Sequence, residues 1–139
     1  MYVECTDNFL MDPNHLAEIA DKSGAKYCLV SHMRGKVGDM DKITEICEKR
    51  GIVMVEDCAH SLGVSWKGKH TGHHGAMACI SSQSYKMLNS GEGGFLLTND
   101  DELAVIWVAN NSDISFIVQD YHQSFVGIGL ILNCEIRQR

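Results

Sequence analysis

Ile52-Val53-Met54-Val55 is an unbroken apolar run that ends in two acids, Glu56-Asp57. Four apolar residues without polar alternation fit a strand covered on both faces, as in a parallel sheet. Upstream, Tyr27 to Ser31 reads as another apolar strand. Between the two, Met40, Ile43, Ile46 and Cys47 fall on one helical face, with Asp39 or Asp41 as cap and Gly51 as stop. Strand, helix and strand at this spacing form a βαβ unit, expected to be right-handed. The fold class expected is therefore α/β with a mostly parallel sheet.

The flanking segments extend the pattern. Tyr2 to Cys5 reads as a short strand. Asp12-Pro13 reads as a cap followed by proline at the first helical position, before Leu16, Ile19 and Ala20 on one face and Gly24 past the end. After residue 62, Val64-Ser65-Trp66 and the glycines at 68, 72 and 75 predict a short hairpin or irregular excursion. Ala76 to Ser81 and Gly94 to Thr98 read as strands joined by the loop that holds Lys86. Asp100 or Asp101 can cap a helix through Leu103 and Ile106. Phe125 to Leu132 is compatible with strand or buried helix, because periodicity does not separate them.

Composition narrows the function classes. The chain has 139 residues, 45% hydrophobic and 22% charged, which suits one globular domain. Its formal net charge of -6 and scattered lysines and arginines argue against a nucleic-acid partner. The longest apolar run falls short of the roughly 20 residues of a membrane helix. Six cysteines occur without a C-x-x-C pair. With no signal peptide visible, they point to a reducing, cytoplasmic setting.

Three stretches carry chemistry, each at an expected strand end, where open α/β sheets bind ligands. In Glu56-Asp57-Cys58-Ala59-His60, Asp57 directly follows the buried strand. A partly desolvated carboxylate there needs a donor or cationic partner, and a protonated pyridine nitrogen is one; a helix cap or a structural ion pair uses the same group. In Ser81-Ser82-Gln83-Ser84-Tyr85-Lys86, a partly buried lysine would offer the free amine that a Schiff base requires. Ser81 could offer its hydroxyl to a phosphate. A solvated loop lysine is the plain alternative. Gly91-Glu92-Gly93-Gly94 permits a tight reversal beside that loop. It is neither a dinucleotide fingerprint nor a P-loop. A serine three before Lys86 would suit a penicillin-binding motif, but position 83 is glutamine. His70, His73 and His74 lack a carboxylate or cysteine at ligand spacing, so no metal site is expected.

Taken in order, these stretches resemble the DegT/DnrJ/StrS-type nucleotide-sugar aminotransferases, which are fold-type I pyridoxal-phosphate enzymes. The resemblance runs from near Tyr2 to about Leu103. It includes Asp12-Pro13, His32-Met33-Arg34-Gly35, Gly38-Asp39-Met40-Asp41, Glu56 to His60, Lys67-Gly68-Lys69, Ser81 with Lys86, Gly91 to Gly94 and Thr98-Asn99-Asp100. Asp57 and Lys86 stand 29 positions apart (57 to 86), as in that family. The resemblance implies a partial large domain of a three-layer α/β/α PLP-transferase fold over 1–109, with the small domain absent and an uncertain tail over 110–139. It implies pyridoxal 5'-phosphate as cofactor. Lys86 would be the Schiff-base lysine, Asp57 the carboxylate on the pyridine nitrogen, His60 the contact to the phenolic oxygen and Ser81 the phosphate-binding serine.

The reaction so implied moves an amino group, usually from glutamate, to a keto-sugar nucleotide. The assembly implied is a homodimer. Sugar-dehydratase relatives carry histidine at the lysine position, so Lys86 favours transamination. Departures are also visible. The family's chains are more than twice this length, and Ser82-Gln83-Ser84 stands where aromatics and proline are common. The chain thus reads as a truncated frame, expected to self-associate or be marginally stable through apolar faces such as Met1, Cys5, Phe9, Leu10 and Phe125 to Leu132. A non-catalytic remnant that binds no cofactor productively is the alternative reading.

Overall fold

A computed structural model describes residues 1–110, 115–121 and 125–131, with side chains through Ile106. Helix α1 (Pro13–Ser23) begins as its sequence dictates. The Asp12 carboxylate accepts from the Asn14 amide at 2.8 Å, proline fills the first position, and Gly24 ends the helix at φ 62°. Strand β1 (Tyr27–Ser31) follows, then one 3-10 turn (Met33–Gly35) and α2 (Met40–Lys49). Of the two candidate caps, Asp39 accepts from the Lys42 amide, and Asp41 sits in the first turn where the helix dipole favours it.

Strand β2 (Val53–Asp57) pairs parallel with β1 in the register Tyr27–Val53 to Ser31–Asp57. Asp57 is thus the last residue of the strand itself, one step further inside the sheet than expected. A hairpin of β3 (Ser65–Trp66) and β4 (Lys69–His70) turns through Lys67 and Gly68, both at positive φ. Trp66 Nε1 donates to Asp41 Oδ1 at 3.1 Å and Lys67 pairs with the same carboxylate, which ties the hairpin to α2. Strand β5 (Met77–Ser81) joins β2 in parallel, and β6 (Gly94–Thr98) closes the order β1-β2-β5-β6 antiparallel to β5. The sheet is mostly parallel and the fold is α/β, as the sequence predicted.

Asp100 Oδ1 accepts the amides of Glu102 and Leu103 and starts α3 (Asp101–Asn110). Strands β7 (Ser115–Tyr121) and β8 (Phe125–Ile131) pair antiparallel, so the run left open between strand and helix is a strand over residues 125–131. Residues 111–114, 122–124 and 132–139 of the expected tail lie outside the described residues. Among the described residues, no helix is long and apolar enough to cross a membrane.

The core lies between the sheet and its first two helices. Leu16, Met40, Ile43 and Cys47 pack on Cys28, Val30, Ile52 and Met54. Met40 and Ile43 are fully buried, each worth roughly 1.5–3 kcal/mol over exposure. The exposed Lys22–Glu18 and Lys49–Glu45 pairs add little beside that, so α2 is held by its apolar stripe. Two expectations are corrected. Tyr2 to Cys5 is not a strand: the chain turns back between Thr6 and Leu10, and only an isolated bridge joins Cys5 to Met11. The Ile52 to Val55 run is not covered on both faces either. Val53 is 41% exposed, and its neighbours Tyr27 and Leu29 on β1 are 74% and 63% exposed on the same side.

Candidate active site

Side chains alternate along β2, and the two acids at its end therefore point to opposite faces. Asp57 lies on the open side, with Ser31 directly across on β1. Ser31 Oγ donates to Asp57 Oδ2 at 2.8 Å, and the Ala59 amide donates to Oδ1 at 3.0 Å. These are the donor partners that a carboxylate at this position was expected to need.

Glu56 points the other way and is fully buried. Its Oε2 accepts from His32 Nε2 and the Gly72 amide, both at 2.9 Å; its Oε1 accepts from the His74 and Gly75 amides, both at 2.7 Å. Burial pushes this carboxyl up, but the His32 hydrogen bond and the three amides outweigh it and hold the group down at about 2. His32 is itself buried, and its amide donates to the Asp57 carbonyl at 3.0 Å. The turn at 72–75 is pressed close: a Cβ on Gly75 would stand 2.5 Å from the Met54 carbonyl oxygen.

Ligand atoms of His32, Glu56 and Cys58 lie within 4.8 Å of one another. They form a polar network rather than a cation site. The Glu56 oxygens already accept four hydrogen bonds, and burial pushes the Cys58 thiol up to about 11, away from the thiolate a metal needs. Among the three histidines weighed as ligands, His74 spends its amide on Glu56 and sets Nε2 3.3 Å from the Lys69 carbonyl.

Lys86 sits on the loop between β5 and β6, which is tied by its own polar side chains. Ser82 is buried and its Oγ lies 2.9 Å from Ser90 Oγ; the Ser90 amide donates to the Ser82 carbonyl, and Ser84 Oγ donates to the Gly91 carbonyl at 2.7 Å. The serines that depart from the expected aromatic and proline pattern thus close the loop. Lys86 is half-buried, and its Nζ lies 2.8 Å from His60 Nε2. Ser81, at the end of β5, accepts from the Gln83 amide at 3.3 Å.

Ala59, His60, Ser81 and Lys86 line one cleft of about 120 Å³ with Leu62, Tyr85, Met87 and Leu88. Three of the four residues singled out from sequence meet there. Asp57 does not line that cleft; it stands beside it, two residues before Ala59. Sequence reasoning missed Ser31, His32 and Glu56 as its supports. Strand alternation gave the signal for Glu56, since only one of two adjacent acids can face a ligand.

The donor set suits pyridoxal phosphate. Lys86 offers an amine beside His60, Ser81 has a hydroxyl proton to give, and among the described residues Asp57 accepts the two bonds named, which leaves acceptor capacity for a ring nitrogen.

A family model described as the DegT/DnrJ/EryC1/StrS aminotransferase family matches residues 1–124. L-glutamine:2-deoxy-scyllo-inosose aminotransferase of Streptomyces kanamyceticus is 37% identical over 98 residues, covering 70% of this chain and 23% of that protein. Among solved structures, Helicobacter pylori PseC, an aminotransferase of pseudoaminic acid biosynthesis, superposes with TM-score 0.76 at 22% identity, over 93% of this chain and 34% of its own, which is a likeness of fold. The E. coli GDP-4-keto-6-deoxy-D-mannose-3-dehydratase with bound hydrated PLP gives TM-score 0.74 at 27% identity, over 80% of this chain and 28% of its own. The chain spans about a quarter of the length of the curated relatives it matches.

Proposed function

The chain belongs to the DegT/DnrJ/EryC1/StrS aminotransferase family, and from that premise we propose that it binds pyridoxal phosphate at Lys86 and serves amino transfer to a keto-sugar. The sugar is read as nucleotide-linked, the donor as an amino acid such as glutamate, and the assembly as a homodimer. The bound cofactor would supply a carbonyl that condenses with amines and a ring that draws electrons from the adjacent carbon. Lys86 Nζ would hold the cofactor and, once released, would take up and return the proton that moves between the substrate carbon and the cofactor carbon. His60 orients that Nζ. Asp57 binds the ring nitrogen and favours its protonated form, and the Ser81 hydroxyl donates to the phosphate.

The observation that carries this reading is the 2.8 Å contact of Lys86 Nζ with His60 Nε2 inside a cleft that also holds Ser81. The test is reduction with borohydride after incubation with pyridoxal phosphate, followed by peptide mapping. A reduced adduct on Lys86, absent in Lys86→Ala, supports it. Labelling spread over surface lysines, or none, sinks it and leaves the non-catalytic remnant standing.

A further inference from the structure

Ser31 ends β1 and Asp57 ends β2, and the two face each other in register on the open side of the sheet. Directly beneath, the residue that follows β1 and the penultimate residue of β2 make a second lateral bond, His32 to Glu56, on the buried side. The His32 amide adds a third tie, to the Asp57 carbonyl. The backbone at this strand end is therefore fixed by buried groups that cannot swing. The Asp57 side chain is not so fixed: rotation of its carboxylate is opposed by Ser31 Oγ on one oxygen and the Ala59 amide on the other.

We propose that Ser31 is a positioning residue for the Asp57 carboxylate, holding it in the orientation that meets the ring nitrogen of the cofactor. The inference rests on the reading of Asp57 given above. Serine suits the task because its hydroxyl is short, stands on a strand already ordered by the ladder, and donates one hydrogen bond while leaving the outer lone pairs of Asp57 open. A longer donor would cover the carboxylate, and an apolar residue would leave one of its oxygens to water.

The test compares the full chain with Ser31→Ala and Ser31→Thr. In the cofactor-free protein, amide exchange at Ala59 reports the carboxylate directly, because that amide donates to Asp57 Oδ1. Ser31→Ala should raise Ala59 exchange about fivefold or more, and Ser31→Thr should restore it, with Leu29 and Met54 amides unchanged. Binding is then measured with pyridoxal phosphate and with an analogue carrying carbon in place of the ring nitrogen. Ser31→Ala should weaken the first by about five- to tenfold and leave the second unmoved. Unchanged Ala59 exchange overturns the proposal, and so does an equal loss for both ligands. If the wild-type chain takes up neither ligand, the cofactor reading fails, while the Ala59 result still decides whether Ser31 holds Asp57.

Discussion

Lys86 Nζ and His60 Nε2 are 2.8 Å apart, although 26 residues separate them in the chain. Replacing His60 by leucine should lower borohydride-trapped cofactor on Lys86 by about fivefold at limiting pyridoxal phosphate, because the variant loses the hydrogen bond proposed for His60 to the phenolic oxygen of the cofactor. Glutamine, which also offers a donor to that oxygen, should stay within about twofold. Intact-mass measurement after reduction reads both; a leucine variant trapped as fully as wild type would remove His60 from the site.

Glu56→Gln should be among the most damaging single substitutions in the chain. Three amides and the His32 ring converge on two acceptor oxygens, and glutamine turns one of those into a donor facing donors. The expected loss is about 2–4 kcal/mol. Urea or thermal unfolding reads it, and a midpoint within error of wild type would refute the network's importance.

Acid should act through the same group. The Glu56 carboxyl lies at about 2 in the folded chain against an ordinary 4.5. Its contribution is fully present above pH 4.5 and is lost as pH falls from there towards 2, because the unfolded chain takes up the proton first. The shift is worth roughly 3 kcal/mol at most. Unfolding free energy followed over that window should show this slope, and Glu56→Gln should lack it.

Thiol reagents should divide the described cysteines by burial. Cys5 and Cys79 are exposed, whereas Cys28, Cys47 and Cys58 are buried. Partial burial and the Asp57 charge push the Cys79 thiol up, and burial does so more strongly for Cys58. Alkylation of the folded chain should therefore modify Cys5 first, Cys79 more slowly, and Cys58 only on unfolding. Early alkylation of Cys58, read by peptide mapping, would contradict the packing described.

Most of the framework was legible in the sequence because local rules fix it. Asp12-Pro13 and Gly24 bound α1, the apolar stripe of α2 faces the sheet, and Lys67-Gly68 reverses the hairpin. Lys86, His60 and Ser81 were singled out by their order and by the family resemblance, and they line one cleft. What escaped needs contacts distant in sequence. Tyr2 to Cys5 has strand composition, but among the described residues it pairs through one isolated bridge, Cys5 to Met11. Val53 is apolar, yet it stays 41% exposed, with Tyr27 beside it more exposed still. Glu56 and His32 come together only once β1 and β2 align, and no local pattern announces that pairing.

The alternation at the end of β2 also limits how this segment can change over time. Glu56 serves the interior and Asp57 the opposite surface, so the strand has a phase as well as a composition. Inserting or deleting one residue between Ile52 and Val55 would exchange the two acids: the one bonded to the buried amides would turn outward, and the outward one would turn into the core. Conservative replacements of single apolar residues keep that phase. Length changes are therefore far less tolerable in β2 than substitutions, and they belong in turns such as Lys67-Gly68, where no buried partner waits on a particular count.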